Sequence, residues 1–210
     1  MIELRAYLHI HDLQPQLAAY LSTPLRARAY PPREGEDSLI VEVSPALAIH
    51  RIVDLAVKAE PELEPGLLYT ERQFGLLELH SSDRLQLNGA GQAILKGIGA
   101  KAGDQMAPTT LMTDIIESIS DQHAIILNRM RAASMVLPGQ SLLLYEMAPA
   151  LFATVAVNEA EKVAPGATLV DVQMIGASGR VFMAGDKGDL LAAQRRIEET
   201  LKAVVGRKNR

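Results

Sequence analysis

A chain of 210 residues is long enough for two domains of about 100 residues each. With 48% apolar residues, only 4% aromatics and no tryptophan, its core must be built from Ala, Leu, Ile and Val. The net charge of −4 argues against a nucleic-acid partner, because phosphate binding needs a basic field. The basic tail of Arg207, Lys208 and Arg210 is short and reads as a solvated end. No apolar run of about 18 residues is present to span a membrane. The absence of cysteine removes disulfides, thiolate catalysis and Cys-type zinc sites together. The start at Met1-Ile2-Glu3-Leu4-Arg5 is not a signal peptide, so the cytoplasm is the default location.

In chain order, Leu4, Ala6, Leu8 and Ile10 alternate with Arg5, Tyr7 and His9, the pattern of a half-buried strand. Asp12 is expected to cap a short helix over 13–21. A Pro-rich, basic loop over 22–37 follows, with Pro24, Pro31, Pro32, Gly35 and Arg26, Arg28 and Arg33. An apolar strand at 39–43 leads into Pro45, which suits the first turn of a helix with Ser44 as its N-cap. Ala48, Ile52, Leu55, Ala56 and Ala59 then recur at helical spacing. Short strands are expected near 66–70 and 75–80, followed by a further helix and a linker at 101–110 containing Gly103 and Pro108.

The second half repeats this order. Glu42, Pro45, Lys58, Pro61 and Gly75 are matched 104 residues later, without a gap, by Glu146, Pro149, Lys162, Pro165 and Gly179. Strands are expected near 111–119, 142–147, 169–174 and 180–184, a helix from Asp121 to Arg131, and a last helix at about 188–205. That helix carries Leu190, Ile197, Leu201 and Val204 on one face, and Glu198 stands four residues before Lys202. Matching Asp12 to Asp121 puts the upstream offset at 109, so five extra residues fall in the loop at 22–37. Each copy reads β-α-β-α-β-β-α. The fold class is α/β, a small α+β sandwich with one mostly antiparallel sheet flanked by helices. The domains are expected at 1–103 and 104–210.

No catalytic residue, metal site or cofactor site emerges. His9 and His11 share a strand face, yet zinc needs a further ligand. His50 reads as a helix-flank residue. Asn88-Gly89-Ala90-Gly91 lacks the third glycine and the distal acid of a nucleotide loop, and reads as a helix N-terminus or tight turn. In Gly176-Ala177-Ser178-Gly179 the serine is not central, so this is no nucleophile elbow. One feature stands apart. Glu71-Arg72 sits between the apolar runs at 67–69 and 74–77, whereas the matching turn, Ile175-Gly176-Ala177-Ser178, carries no charge. An exposed ion pair of little energetic weight is the plain reading of these two residues.

Several stretches, taken together and in this order, resemble a known family. They are Leu4-Arg5-Ala6-Tyr7, Leu13-Gln14-Pro15-Gln16-Leu17-Ala18-Ala19-Tyr20, Glu42-Val43-Ser44-Pro45, Glu71-Arg72-Gln73-Phe74-Gly75, Asn128-Arg129 and Asn158-Glu159-Ala160-Glu161-Lys162. The family is the circularly permuted, tandem-BMC-domain shell proteins of carboxysomes and related bacterial microcompartments. The resemblance covers nearly the whole chain. It implies two BMC domains per chain, a homotrimer that imitates a hexagon, and tiling beside other hexameric and pentameric shell proteins in a cytoplasmic microcompartment. It also implies face-to-face stacking of trimers in some members. A central pore would be lined by Glu71 and Arg72, with Gln73, Gly176, Ala177 and Ser178 adjacent, open or shut, passing small anionic metabolites. Lys58 and Lys162 stand at matching places and are candidates for tile edges. The chain departs from the family where Ser178 replaces a Phe, where Ala46-Leu47 replaces a Gly, and in the long basic loop at 22–37. A small-ligand-binding or sensor protein is the other use of a duplicated α/β domain, favoured if a closed apolar pocket held the polar groups.

Overall fold

The computed structural model describes residues 2–23 and 29–208. Pro24, Arg26 and Arg28 of the basic loop and Arg210 of the tail lie outside them. The chain divides into two compact units, Met1–Ala107 with Val205–Arg210, and Pro108–Val204.

The first unit contains β1 (Glu3–Ile10), α1 (Pro15–Ser22), β2 (Asp37–Ser44), α2 (Ile49–Ala59), β3 (Glu64–Thr70), β4 (Gly75–Ser81) and α3 (Arg84–Ile98). The second contains β5 (Thr109–Ile116), α4 (Asp121–Met130), β6 (Ser141–Ala148), α5 (Phe152–Val163), β7 (Thr168–Gln173), β8 (Gly179–Gly185) and α6 (Lys187–Ala203). The sheet orders are β1-β2-β4-β3 and β5-β6-β8-β7, with every neighbouring pair antiparallel. The expected duplication therefore holds strand for strand. It holds in register too, since Ser38 faces His80 and Leu142 faces Ala184. Bulges fall between Pro65 and Leu67, and between Leu169 and Asp171.

In the first unit α2 and α3 cover one sheet face. Ile49, Ile52, Ala56, Leu87, Ala90 and Ile94 pack on Leu39, Val41, Val43, Leu77 and Leu79. Asp83 caps α3 by accepting from the Leu85 N–H at 2.8 Å, and Gly99 ends it at φ 68°. The glycine-rich stretch at 88–91 lies inside α3, not at a helix N-terminus or a turn. A Cβ on Gly91 would stand 2.1 Å from the Tyr7 hydroxyl, so the missing side chain lets helix and sheet approach. In α6, Leu190, Ile197 and Leu201 are buried as their spacing predicts, and Lys202 pairs with Glu198 at 3.4 Å.

Local details correct the sequence reading. Pro45 and Pro149 do not start helices by the usual route. Both follow cis peptide bonds, and the chain turns through Ala46–Ala48 before α2 begins. Ser44 ends β2 and caps nothing. Asp12 is not a helix cap either. It sits at φ 59°, matched by Ser118 at φ 49°, and the N-caps are Gln14 and Ser120. The upstream offset is thus 106, since Leu13 N–H donates to Glu36 as Ile119 N–H donates to Gln140. Two extra residues, not five, separate the copies there.

Asp37 pins the start of β2. It accepts from Arg84 Nε at 2.5 Å and the Asp12 N–H at 2.9 Å, and lies 3.3 Å from His11 Nδ1. Burial works to raise its pKa, but these donors and the Arg84 charge win and hold it at about 2. A carboxylate with a depressed pKa stabilises the fold above its ordinary value of 3.8 and loses that contribution as pH falls towards 2. With Arg84 half exposed the pair is screened. Asp37→Asn should therefore cost about 1 kcal/mol at neutral pH. The gap to the parent should close below about pH 2, as followed by urea unfolding across pH.

Candidate functional site

The charged turn joins β3 to β4. Its Glu71 N–H donates to the Phe74 carbonyl at 2.8 Å, closing a tight loop, and the Gln73 N–H lies 3.3 Å from Glu71 Oε2. Arg72 and Gln73 are exposed and Glu71 is half-buried. Glu71 and Arg72 form no ion pair with each other, so the plain reading of an exposed pair does not hold among the described residues.

Behind this turn lies a buried charge pair. Arg5 Nε donates to Glu42 Oε1 at 2.6 Å, with the Arg5 side chain 12% and the Glu42 side chain 1% exposed. The Arg5 guanidinium stacks over the Phe74 ring, its carbon 3.7 Å from the ring centroid. Arg5 can reach inward because it is the bulge residue of β1, between Leu4 and Ala6. Burial raises the Glu42 pKa, the Arg5 bond opposes that, and the charge of Glu71 adds to the rise.

The second unit builds the matching turn differently. Glu146 accepts from the Ser178 hydroxyl at 2.6 Å and from Arg180 Nε at 3.0 Å. The Ser178 bond comes first in lowering the Glu146 pKa, the reverse of Glu42. Gly176 sits at φ 121°, open to glycine alone without strain, and Ala177 is exposed. The two turns thus differ in charge and in what holds them. Glu71, Arg72 and Gln73 crown one, and the small residues Gly176, Ala177 and Ser178 form the other.

Lys58 and Lys162 lie in the last turns of α2 and α5, where a cation suits the helix dipole. Each meets an acid on its own helix at 2.7 Å, Asp54 for Lys58 and Glu159 for Lys162. Arg196 also pairs with Glu159. His9 and His11 do share a side of the strand, their rings stacked at 6.2 Å. No set of three His, Cys, Asp or Glu side chains among the described residues could hold a metal ion.

One polar cluster escaped the sequence reading. Ser38 Oγ donates to Glu78 Oε1 at 2.6 Å, and His80 Nδ1 lies 3.2 Å from Glu78 Oε2, all three buried. Burial disfavours the His80 proton, but Glu78, helped by Glu36 and Glu64, wins and raises the imidazole pKa. At the same places the second unit has Leu142, Phe182 and Ala184, part of an apolar cluster with Val170.

The chain is similar to known proteins over nearly its whole length. The sequence profile of the CsoS1D N-terminal domain matches residues 4–104. The carboxysome shell protein CsoS1D of Hydrogenovibrio crunogenus is 39% identical over 208 residues, covering 99% of this chain and all of that protein. A double ringed trimeric shell protein from the RMM microcompartment is 56% identical, with a TM-score of 0.96 over the whole of both chains. A fused permuted hexameric shell protein from the same kind of microcompartment is 40% identical, with a TM-score of 0.92 over 98% of this chain and all of that one.

Proposed function

We propose, for a chain that belongs to the CsoS1D family of bacterial microcompartment shell proteins, that three copies close into a pseudohexameric tile around a pore lined by Glu71 and Arg72. The family makes it a structural protein of the shell and not an enzyme. The observation that carries the pore reading is the asymmetry of the two turns. A duplicated domain needs only three chains for a six-cornered ring. In such a ring the turns alternate, the charged Glu71-Arg72 with the small Gly176-Ala177-Ser178. Small residues leave room between the charged turns. Three arginines offset the repulsion of three glutamates in one rotamer set and swing aside in another, and two such sets of similar energy make a gate. Arg72 makes no ion pair within its own chain among the described residues, so nothing on that chain ties it to either set.

A ring of arginines favours small anionic metabolites over cations. Lys58 and Lys162, each at the end of an equivalent helix, suit the edges that meet neighbouring hexameric and pentameric tiles. The RMM relative is a double ringed trimer. In this chain Leu111, Ile125, Ile126 and Met130 are exposed on the second unit, apolar area of the kind that stacked trimers cover. The two BMC domains would be the expected 1–103 and 104–210, while the compact units divide between Ala107 and Pro108 and the end from Val205 joins the first. The small-ligand or sensor reading has no observation in its favour.

The test is E71A/R72A in assembled shells. The variant should still elute as a trimer of about 68 kDa, three times 22.7 kDa, or as twice that. Uptake of a phosphorylated metabolite should lose its preference over a cation of similar size by several-fold. Unchanged uptake with the trimer intact would sink the pore reading.

A further inference from the structure

The Arg5–Glu42 pair is expensive. A buried ion pair costs desolvation that its own attraction barely repays, and Glu42 Oε2 has no hydrogen-bond partner among the described residues. The fold does not require the pair. In the second unit the bulge position of Arg5 is held by Leu111, which is 54% exposed, the place of Phe74 is taken by Ser178, and the equivalent Glu146 reaches solvent. The same sheet, register and close approaches are kept there without a buried pair. Next to the pair, what differs between the units is the turn, charged in the first and uncharged in the second.

We infer that Arg5, Glu42 and Phe74 are positioning residues for the Glu71–Arg72 turn, a clamp in which the buried ion pair fixes the guanidinium plane and that plane holds the Phe74 ring. Phe74 is the link, because its carbonyl takes the Glu71 N–H while its ring lies on Arg5. The bulge in β1 supplies the reach, and the single bond from Arg5 to Glu42 sets the direction of the plane. The clamp acts on the backbone of the turn and leaves Glu71 and Arg72 unbonded to each other, with the Glu71 carboxylate touching, among the described residues, only the turn's own Gln73 N–H. Its geometry stands alone, whereas its consequence for passage through a pore rests on the reading given above.

The experiment is hydrogen exchange on the full-length assembled protein, resolved to the turn. Phe74→Leu keeps apolar bulk but loses the ring face, and Arg5→Lys keeps the charge for Glu42 but loses the plane. Each should speed exchange at the Glu71 amide by about three- to tenfold, the size expected from one partly desolvated cation–π contact. Amides of β2 and β4 should keep their protection, and Phe74→Tyr should restore the parent rate. Unchanged exchange at residues 71–73 in Phe74→Leu overturns the clamp, and so does acceleration spread evenly through the core strands, which marks a merely structural role. Uptake into shells made from Phe74→Leu separates the two readings. A loosened turn with unaltered uptake leaves the clamp standing and removes the pore.

Discussion

His80→Ala should destabilise the protein by about 3 kcal/mol. The substitution leaves the Glu78 carboxylate buried with only Ser38 to bond it, and breaking a buried pair costs far more than replacing it. The second unit shows what a replacement looks like. Ser38→Leu, Gly66→Val, Glu78→Phe and His80→Ala together install the residues found at 142, 170, 182 and 184. That fourfold variant should regain part of the loss, the Tyr30 carbonyl oxygen still standing 2.9 Å from a Cβ at position 66. Gly66→Val alone should not be tolerated, since its Cβ also stands 2.1 Å from Glu78 Oε2. The sign of the pH effect follows from the raised His80 pKa. Its contribution is present in full below the ordinary value of 6.5 and is lost as pH rises through the raised one. Thermal unfolding of each variant at fixed protein concentration, repeated across pH, measures these effects. Equal stability of His80→Ala and the parent near pH 6 would show that the cluster contributes nothing.

The duplication was legible in the sequence because Pro45, Lys58 and Gly75 repeat without a gap, and strand order and register follow from it. The upstream offset was not legible. Asp12 and Ser118 occupy the same left-handed turn, yet one is an acid and the other a serine, and either also suits a helix cap. Alternation in β4 hid the Ser38-Glu78-His80 cluster. Glu78 and His80 alternate with Leu77 and Leu79 as solvent-facing residues would, but segment 29–30 bonds to Pro65 and Gly66 at the β3 bulge, and the cluster beneath is closed off. The charged turn stood out because its counterpart is bare of charge. The clamp behind it depends on a bulge that re-aims Arg5, and a bulge leaves no mark in the alternation of Leu4, Ala6 and Leu8.

Gly179→Ala should cost about 3 kcal/mol or more, and Gly75→Ala a comparable amount, because both glycines sit where backbone meets backbone. A Cβ on Gly179 would lie 2.2 Å from the Ala150 carbonyl oxygen and 3.0 Å from Ala150 Cα. On Gly75 it would lie 2.3 Å from the Ala46 oxygen and 2.5 Å from Ile49 Cβ. None of these atoms belongs to the far end of a flexible side chain, so relief requires moving the turn after the cis proline, and with it the start of α2 or α5. Gly179→Ala reads the penalty on the uncharged turn. Gly75→Ala should add a second effect, because Gly75 follows Phe74 directly and pairs with Thr70 across the base of the charged turn. Pushing Gly75 away from Ala46 also shifts the Phe74 ring on Arg5. The two variants should therefore lose similar stability in urea unfolding, while only Gly75→Ala speeds exchange at the Glu71 amide. Wild-type stability in either variant would mean that the close approach of strand and proline turn, shared by both units, is not what fixes glycine at these positions.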